Sequence, residues 1–422
     1  MVKNSNVILK DVFERIKPSE EDLKSIGNSL NEFKAKVEKR IKSLKIDAEV
    51  FVGGSFAKKT LIKKDNYDID VFVRFSDGKD ISVLMGKILK GFDGAKLIHG
   101  SRDYFSVNLG PNFFIELIPV LKVKSPKESE NITDLSYSHV KYVNKKATKK
   151  ILEDIMIAKA FCYANHCYGA ESYINGFSGY ALELLIIYYK SFMNFIRAVG
   201  KIKDKTVIDI EKHYKNRQQV LMDVNGSKLN SPIVLIDPTY KQRNALAALS
   251  DETFDRFKKV CKKFLDNPNA KAFEVEKVDL EKVKKNAKVK KQEFLLVEAK
   301  TGRQEGDIAG SKLIKFYKHF VDEVGTFFEI KNKGFNYNGK KSARYFLVLK
   351  SKGEQLFNGP SVKDKKNVLM FKKKHKKTFV KSGRIYSKIR IDFNAVDFFK
   401  KWVVKNKKRV NEMGVSSLKI VN

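Results

Sequence analysis

Cysteine, proline and tryptophan are scarce in this chain, with three, eight and one respectively among 422 residues. An odd handful of thiols in so long a chain excludes a disulfide framework and points to a reducing, cytoplasmic setting. Cys162, His166 and Cys167 lie close together, but a structural zinc needs four ligands and there is no second pair, so they read as buried thiols on a helix. Long apolar runs are missing too. A membrane span needs roughly 18 uninterrupted apolar residues; the richest run, YALELLIIYY at 180–189, is shorter and carries Glu183. The opening MVKNSNVILK has no apolar segment of the kind that directs secretion. No internal repeat or low-complexity tract is present. Acidic residues are outnumbered: 49 Asp and Glu against 85 Lys and Arg leave a net charge of +36. Solubility does not require such an excess, whereas a polyanionic partner, nucleic acid above all, would account for it. A generally lysine-rich proteome is the plainer alternative.

What is present reads as several domains, about two to four for this length. Leu23, Ile26, Leu30, Phe33, Val37, Ile41 and Leu44 recur at helical spacing over 19–44, with Ser19 as cap and Glu20 and Glu21 in the first turn. AEVFV then runs into Gly53-Gly54-Ser55, and YDIDVFVRF alternates as a second strand. A helix over 82–92 and strands in YFSVNL and FFIELIPVLKV complete a small mixed α/β unit. An irregular stretch is expected at 124–147, then helices over 148–166, 178–198, 206–222 and 238–265. From about 270 a lysine-rich approach leads to strand 293–299, a helix over 309–323 and strands 326–330 and 342–350. The remainder is basic to the end.

The stretch that carries chemistry is GGSFAKKTLIKKDNYDIDVFV, 53–73. Asp68 and Asp70, two apart on a strand, point to one face. Burying two unpaired carboxylates side by side is costly, so either they are solvated at a strand end or a cation belongs between them. Glu116, mid-strand in FFIELIPV, is a third carboxylate where an apolar residue is expected. Such a set suits hard divalent cations and phosphoryl or nucleotidyl transfer. Gly54 and Ser55 supply small residues where backbone N–H groups reach phosphate oxygens.

GSFAKKTLIKKDNYDIDVF resembles the nucleotidyltransferase superfamily of DNA polymerase β and poly(A) polymerase. YGAESYINGFSGYALELLIIYYKSF (168–192) resembles the helical neck of archaeal, class I CCA-adding enzymes. IDPTYKQRNALAALS (236–250) is similar to that family's Asp-Pro…Arg-Asn block, and DLSYSHVKYV (134–143) is a weaker match to another of its segments. The likeness is dense over 53–250 and thin beyond 270. It implies metal ligands at Asp68, Asp70 and Glu116. Triphosphate contacts fall on Ser55, beside Gly54, and on Lys58, His139, Lys159 and Tyr168, with a base-selecting arginine at Arg243. The chain departs from the family pattern at three places: Glu116 stands where aspartate is usual, Lys59 where glycine is usual, and Leu135, Ser136, Tyr137 and Ser138 replace an Arg-Thr-Pro-Phe run ahead of His139.

The expected fold is α+β and multidomain: a polymerase β-like head (1–145), a helical neck (146–268), an α/β body (269–357) and a basic tRNA-binding tail (358–422). The resemblance implies template-independent addition of C, C and A to the 3′ end of tRNA from CTP and ATP, with two Mg²⁺ ions. The protein would hold the acceptor stem and TΨC arm, without a membrane, and its oligomeric state is open, a homodimer included. Two rivals remain. A poly(A) or oligoadenylate polymerase would share the head but have no need of CTP, and a non-catalytic RNA-binding protein would tolerate loss of the carboxylates.

Overall fold

In the computed structural model, which describes residues 2–99, 102–110, 112–375 and 377–421, the chain divides into two units. The first is Met1–Ala170 with Ile174–Glu276, the second Glu171–Tyr173 with Lys277–Asn422. The first opens with α1 (Val2–Ile16), α2 (Glu20–Ser43), β1 (Ala48–Val52), the single turn α3 (Gly54–Ala57), β2 (Tyr67–Phe75) and α4 (Ile81–Leu89). β3 (Lys96–Ile98), β4 (Tyr104–Asn108) and β5 (Phe113–Leu121) follow. The strands form one sheet in the order β1-β2-β5-β4-β3, with β2 and β5 parallel.

Alternation along β2 decides how that sheet is used. Tyr67, Ile69, Val71, Val73 and Phe75 point to one face and are buried against Ile26, Leu30, Phe33, Val37 and Ile41 of α2. Each such apolar side chain contributes about 1.5–3 kcal/mol on burial. Ser19 caps α2 by accepting from the Asp22 amide, and the acidic first turn complements the helix dipole. The opposite face of β2 is left to Asp68, Asp70, Phe72 and Arg74. One strand therefore carries both core and chemistry.

The rest of this unit comprises α5 (Ser136–Lys146), α6 (Lys149–Ala164), α7 (Gly179–Tyr189), α8 (Phe192–Val199), β6 (Thr206–Asp209), α9 (Arg217–Asp223), β7 (Ile233–Asp237), β8 (Tyr240–Asn244) and α10 (Asp251–Asp266). α7 is buried on every side from Ala181 to Ile187, at the centre of an aromatic-rich core with Phe161, Phe192, Phe195 and Phe257. Cys162, Cys167 and Cys261 are free and buried in that core; Cys162 lies on α6 as expected, whereas Cys167 lies past the end of that helix, which stops at Ala164.

Four sequence expectations need correction here. The stretch 124–147 contains α5, whose apolar burial is limited to Val140 and Val143 beside His139, too weak a stripe to read. The helix expected over 178–198 is two helices, broken where Lys190 takes a left-handed φ of 66° and Ser191 caps α8. Residues 206–222 divide into β6 and α9, because Thr-Val-Ile-Asp extends beside β7. Residues 238–265 begin as β8, paired antiparallel with β7, so Arg243 lies on a strand.

The second unit holds α11 (Leu280–Val289), β9 (Glu293–Lys300), α12 (Asp307–Phe327), β10 (Phe328–Tyr337), β11 (Ser342–Ser351), β12 (Glu354–Ser361) and α13 (Lys365–Lys374). It ends with β13 (Thr378–Lys381), β14 (Arg384–Arg390), α14 (Ala395–Lys405), α15 (Lys407–Glu412) and β15 (Ser417–Ile420). Its sheets run β10-β11-β9-β15 and β12-β14-β13. β15 pairs with β9, and Phe398, Phe399 and Trp402 are buried among Phe316, Phe320 and Tyr345. The basic end of the chain thus shares its core with β9–β11. No helix of the described residues is long and apolar enough to cross a membrane.

Candidate active site

Asp70 and Glu116 are register partners across the parallel pair β2 and β5, and Ser106 of β4 pairs with Glu116 on the other side. Asp68, one pleat earlier than Asp70, shares their face and is held by the Lys64 ammonium at 2.6 Å. Burial, with Asp68 as close neighbour, raises the Asp70 pKa to about 6. Burial, then Asp70 and Asp68, raises that of Glu116 to about 7. The Tyr104 phenol on β4 feels burial, Glu116 and Asp70 and rises to about 12. The cluster is a half-buried pool of negative charge that destabilises itself. Its donors are hard oxygens on one face, and the Lys64 ammonium already sits against one of them. That chemistry fits divalent cations, although among the described residues no three His, Cys, Asp or Glu side chains are already gathered closely enough to hold one.

The glycine–serine turn is laid directly on this cluster. The Gly53 amide donates to the Asp70 carbonyl at 2.9 Å. Gly54, at φ +59°, lies so close to Asp70 that a Cβ there would come within 1.7 Å of its Oδ2. Glycine is the residue that accepts both conditions. Ser55 follows in α3, and Asn144 of α5 donates to the Ala57 carbonyl at 3.2 Å, tying turn to helix. Lys59 takes φ +57°, so the turn keeps the left-handed conformation that glycine would supply freely.

Lys58 and Lys159 converge on Glu183, at 2.6 Å from Oε2 and 2.8 Å from Oε1. Thr60 Oγ1 donates to Glu183 Oε1 at 3.1 Å and accepts from Lys159 at 2.8 Å. Burial works against the Glu183 charge, but the two ammonium groups outweigh it and hold the pKa down at about 2. Tyr168 lies beside this cluster: a Cβ on Gly179 would be 2.9 Å from its hydroxyl and 3.7 Å from Lys159 Cε.

His139 and Arg243 meet on a residue that sequence reading passed over. Asp237, fully buried at the end of β7, faces His139 Nε2 at 3.1 Å and accepts from Arg243 Nη1 at 2.6 Å, both on Oδ2. Its Oδ1 accepts from Tyr180 at 3.0 Å and from the Thr239 amide at 2.8 Å. Burial opposes its charge, yet His139 and Arg243 hold the carboxyl well below its ordinary range. His139 stacks on the Tyr180 ring with centroids 4.0 Å apart, and burial lowers its pKa. The Arg243 side chain remains 22% exposed.

The structure thus places the proposed site residues in three neighbouring groups: the carboxylate face with Gly54 and Ser55, the Lys58–Lys159–Tyr168 corner, and the His139–Arg243 pair. Sequence reading missed Glu183, Thr60, Asp237 and Tyr180. A signal existed for two of them, a lone carboxylate inside YALELLIIYY and an aspartate closing the apolar IVLID.

Comparison with known proteins bears on this geometry. Residues 34–157 match the family model "Nucleotidyltransferase domain", and 153–274 match "tRNA nucleotidyltransferase, second domain". A CCA-adding enzyme of Nanoarchaeum equitans is 33% identical over 396 residues, spanning 93% of this chain and 95% of that one. The chain belongs to the archaeal CCA-adding enzyme family. A further CCA-adding enzyme, from Methanocaldococcus jannaschii, is 27% identical over 93% of this chain and 89% of its own. Among solved structures, a cytoplasmic RNA terminal U-transferase superposes with a TM-score of 0.51 at 13% identity, covering 65% of this chain and all of that one. That likeness establishes the polymerase β-like fold. Membership makes the protein a nucleotidyltransferase that uses nucleotide substrates and a divalent metal, and the archaeal relatives span both units, including the region beyond 270 where motifs are sparse.

Proposed function

We propose that the protein adds C, C and A to the 3′ end of tRNA, without a nucleic-acid template, from CTP and ATP. The observation that carries the reading is the pairing of Asp70 with Glu116 beneath the Gly54–Ser55 turn, in a chain of this family. The terminal ribose hydroxyl attacks the α-phosphorus of the nucleotide, the α–β phosphoanhydride bond breaks and pyrophosphate leaves. Asp68, Asp70 and Glu116 would hold the divalent cations, two Mg²⁺ in this reading, which lower the pKa of the hydroxyl and offset the triphosphate charge.

The chain's own groups do the rest. Backbone N–H groups of the Gly54–Ser55 turn and the Ser55 hydroxyl line the phosphate path, with Lys58, Lys159, Tyr168 and His139 around it. Arg243, partly exposed and anchored by Asp237, offers a fork of donors suited to reading a base edge. The acceptor stem and TΨC arm would be held by backbone and shape, because an A-form duplex hides its base edges from side chains. The test is direct: tRNA lacking its terminal CCA is incubated with each nucleotide separately and together, and the products are sequenced. Stepwise C, C, A is expected. Runs of A alone would replace the reading with a poly(A) polymerase.

A further inference from the structure

Two lysines share one carboxylate in the interior of this protein, and that arithmetic is unusual. Lys58 is 8% exposed, Lys159 3% and Glu183 0%. Such a group of three carries one positive charge in surplus. Outside the group, the Asp70 carboxylate feels the charge of both lysines; with Asp70 given over to divalent cations, the surplus would be left for an anion beside the glycine turn. The three residues come from separate elements. Lys58 follows α3 as its C-terminal cap, Lys159 belongs to α6 and Glu183 to α7. Glu183 interrupts a helix otherwise apolar from Ala181 to Ile187, and packing gives no reason for it.

The bonds divide the work between the lysines. Lys159 reaches Glu183 Oε1, Thr60 Oγ1 and, at 3.4 Å, the Thr60 carbonyl, so all three of its donors have partners within the protein. Lys58 has a single side-chain acceptor among the described residues, Glu183 Oε2, and its ammonium lies 5.6 Å from the centre of the Tyr180 ring. Thr60 accepts from Lys159 and donates to Glu183 Oε1, the oxygen that Lys159 also reaches, closing the cluster on the chain segment that follows the glycine–serine turn.

We infer that Glu183 is a positioning residue for the nucleotide's triphosphate: it keeps both buried lysines charged and fixes Lys58 toward the turn, leaving a surplus positive charge for the phosphates to complete. This rests on the reading of that corner as the triphosphate site. Both Glu183 oxygens are taken up by Lys58, Thr60 and Lys159, so it acts through the lysines. A glutamine at 183 can accept on one oxygen only, and it leaves two ammonium groups in the interior without the carboxylate that bonds them. One of them must then lose its proton or swing out.

The experiment is calorimetric binding of inorganic tripolyphosphate to the full chain, alongside steady-state kinetics with CTP, ATP and CCA-less tRNA. In Glu183→Gln the Kd for tripolyphosphate is expected to rise about tenfold or more, the scale of losing a charge-assisted bond. The KM values for CTP and ATP should rise by the same factor while the KM for tRNA holds. A merely structural role would reduce the folded fraction and leave tripolyphosphate affinity per folded molecule unchanged. Should Glu183→Gln fail to fold, Thr60→Val, which keeps the charges and removes the hydroxyl bridge, is expected to weaken tripolyphosphate binding by about two- to fivefold. Wild-type tripolyphosphate affinity in either folded variant overturns the inference. Because binding is read without turnover, a failure of CCA addition by the unmodified protein would refute the proposed function separately.

Discussion

Asp70 and Glu116 stand opposite one another on parallel strands, and among the described residues no positive side chain is bonded to either, while Asp68 on the same face is taken up by Lys64. The pair is held together by the sheet, not by attraction between the two groups. With a pKa near 6 for one and near 7 for the other, the metal-free protein bears a penalty at neutral pH. Asp70→Asn should therefore raise the stability of the metal-free protein by about 1–2 kcal/mol. It should also cut turnover by more than about a hundredfold, the loss usual for a mere supporting partner of a metal ligand. Urea denaturation in EDTA and single-turnover kinetics measure both. A destabilised variant with residual activity would make Asp70 a structural residue.

The Glu116 pKa rises from 4.5 to about 7 on folding, so between those values the folded chain binds more protons than the unfolded one. Stability then falls as pH increases through that window. In metal-free protein, moving from pH 8 to pH 5 should relieve the penalty. His139 works oppositely, since its lowered pKa favours folding as pH rises. Glu183, held near 2, loses its contribution only as pH falls below about 4.5. The readout is accordingly a difference: Glu116→Gln should be more stable than the parent at pH 8, with the advantage shrinking toward pH 5. An advantage independent of pH would mean that Glu116 is not the titrating group.

The sheet and the carboxylate face were legible because strand alternation and carboxylate spacing are local properties. YDIDVFVRF states both the buried face and the charged one. Asp237 and Glu183 were less so, because their meaning comes from residues about a hundred positions away: His139 and Asp237 lie 98 apart in sequence, Lys58 and Glu183 125 apart. α5 escaped for a different reason. Its stability comes from anchorage more than from an apolar stripe. Asp134 accepts from Arg102 at 2.7 Å and from the Leu121 amide at 2.9 Å, pinning the start of the helix to the end of β5. β8 was misjudged because KQRN has no strand signature of its own and is drawn into register by β7.

Lys59 is exposed and left-handed at φ +57° in a turn where relatives are expected to carry glycine. Lys59→Gly should stabilise the protein by about 0.5–1 kcal/mol, the strain relieved less the added freedom of the unfolded chain. A higher Tm with unchanged kcat is the expected outcome. A lower Tm would mean that the lysine side chain contributes more than its backbone conformation costs.

Removing the basic end of the chain would not isolate its role in RNA binding, because β15 and α14 belong to the core of the second unit. Point substitutions do. Lys372, Lys373 and Lys374 form an exposed last turn of α13. If they bind phosphates, replacing all three with alanine should weaken tRNA binding and flatten the plot of log Kd against log salt by about one unit for each phosphate no longer neutralised. CTP affinity should not change. An unaltered salt slope would place the grip on other lysines.

Cytosine and adenine present an exocyclic amino donor beside a ring-nitrogen acceptor, whereas uracil and guanine present a carbonyl oxygen beside a ring N–H. A guanidinium N–H set at the ring nitrogen donates to that acceptor in cytosine or adenine but meets a donor in uracil or guanine, a mismatch worth about 1–3 kcal/mol when buried. Arg243 is equipped for this: Asp237 fixes one Nη at 2.6 Å and leaves further donors of the fork to face a ligand. Asp237 is itself anchored by Tyr180 and Thr239, so the fork is held before any nucleotide arrives. Arg243→Ala should lower kcat/KM for CTP and ATP by about tenfold or more while UTP and GTP change little, collapsing discrimination. Arg243→Lys should not rescue it, because a point charge cannot reproduce a fork. Asp237→Asn, which frees Arg243 without removing it, should give an intermediate loss for CTP and ATP alone. If all four nucleotides slow by one factor in single-turnover assays, Arg243 serves the phosphates or the packing of β8, and the base is read by other groups.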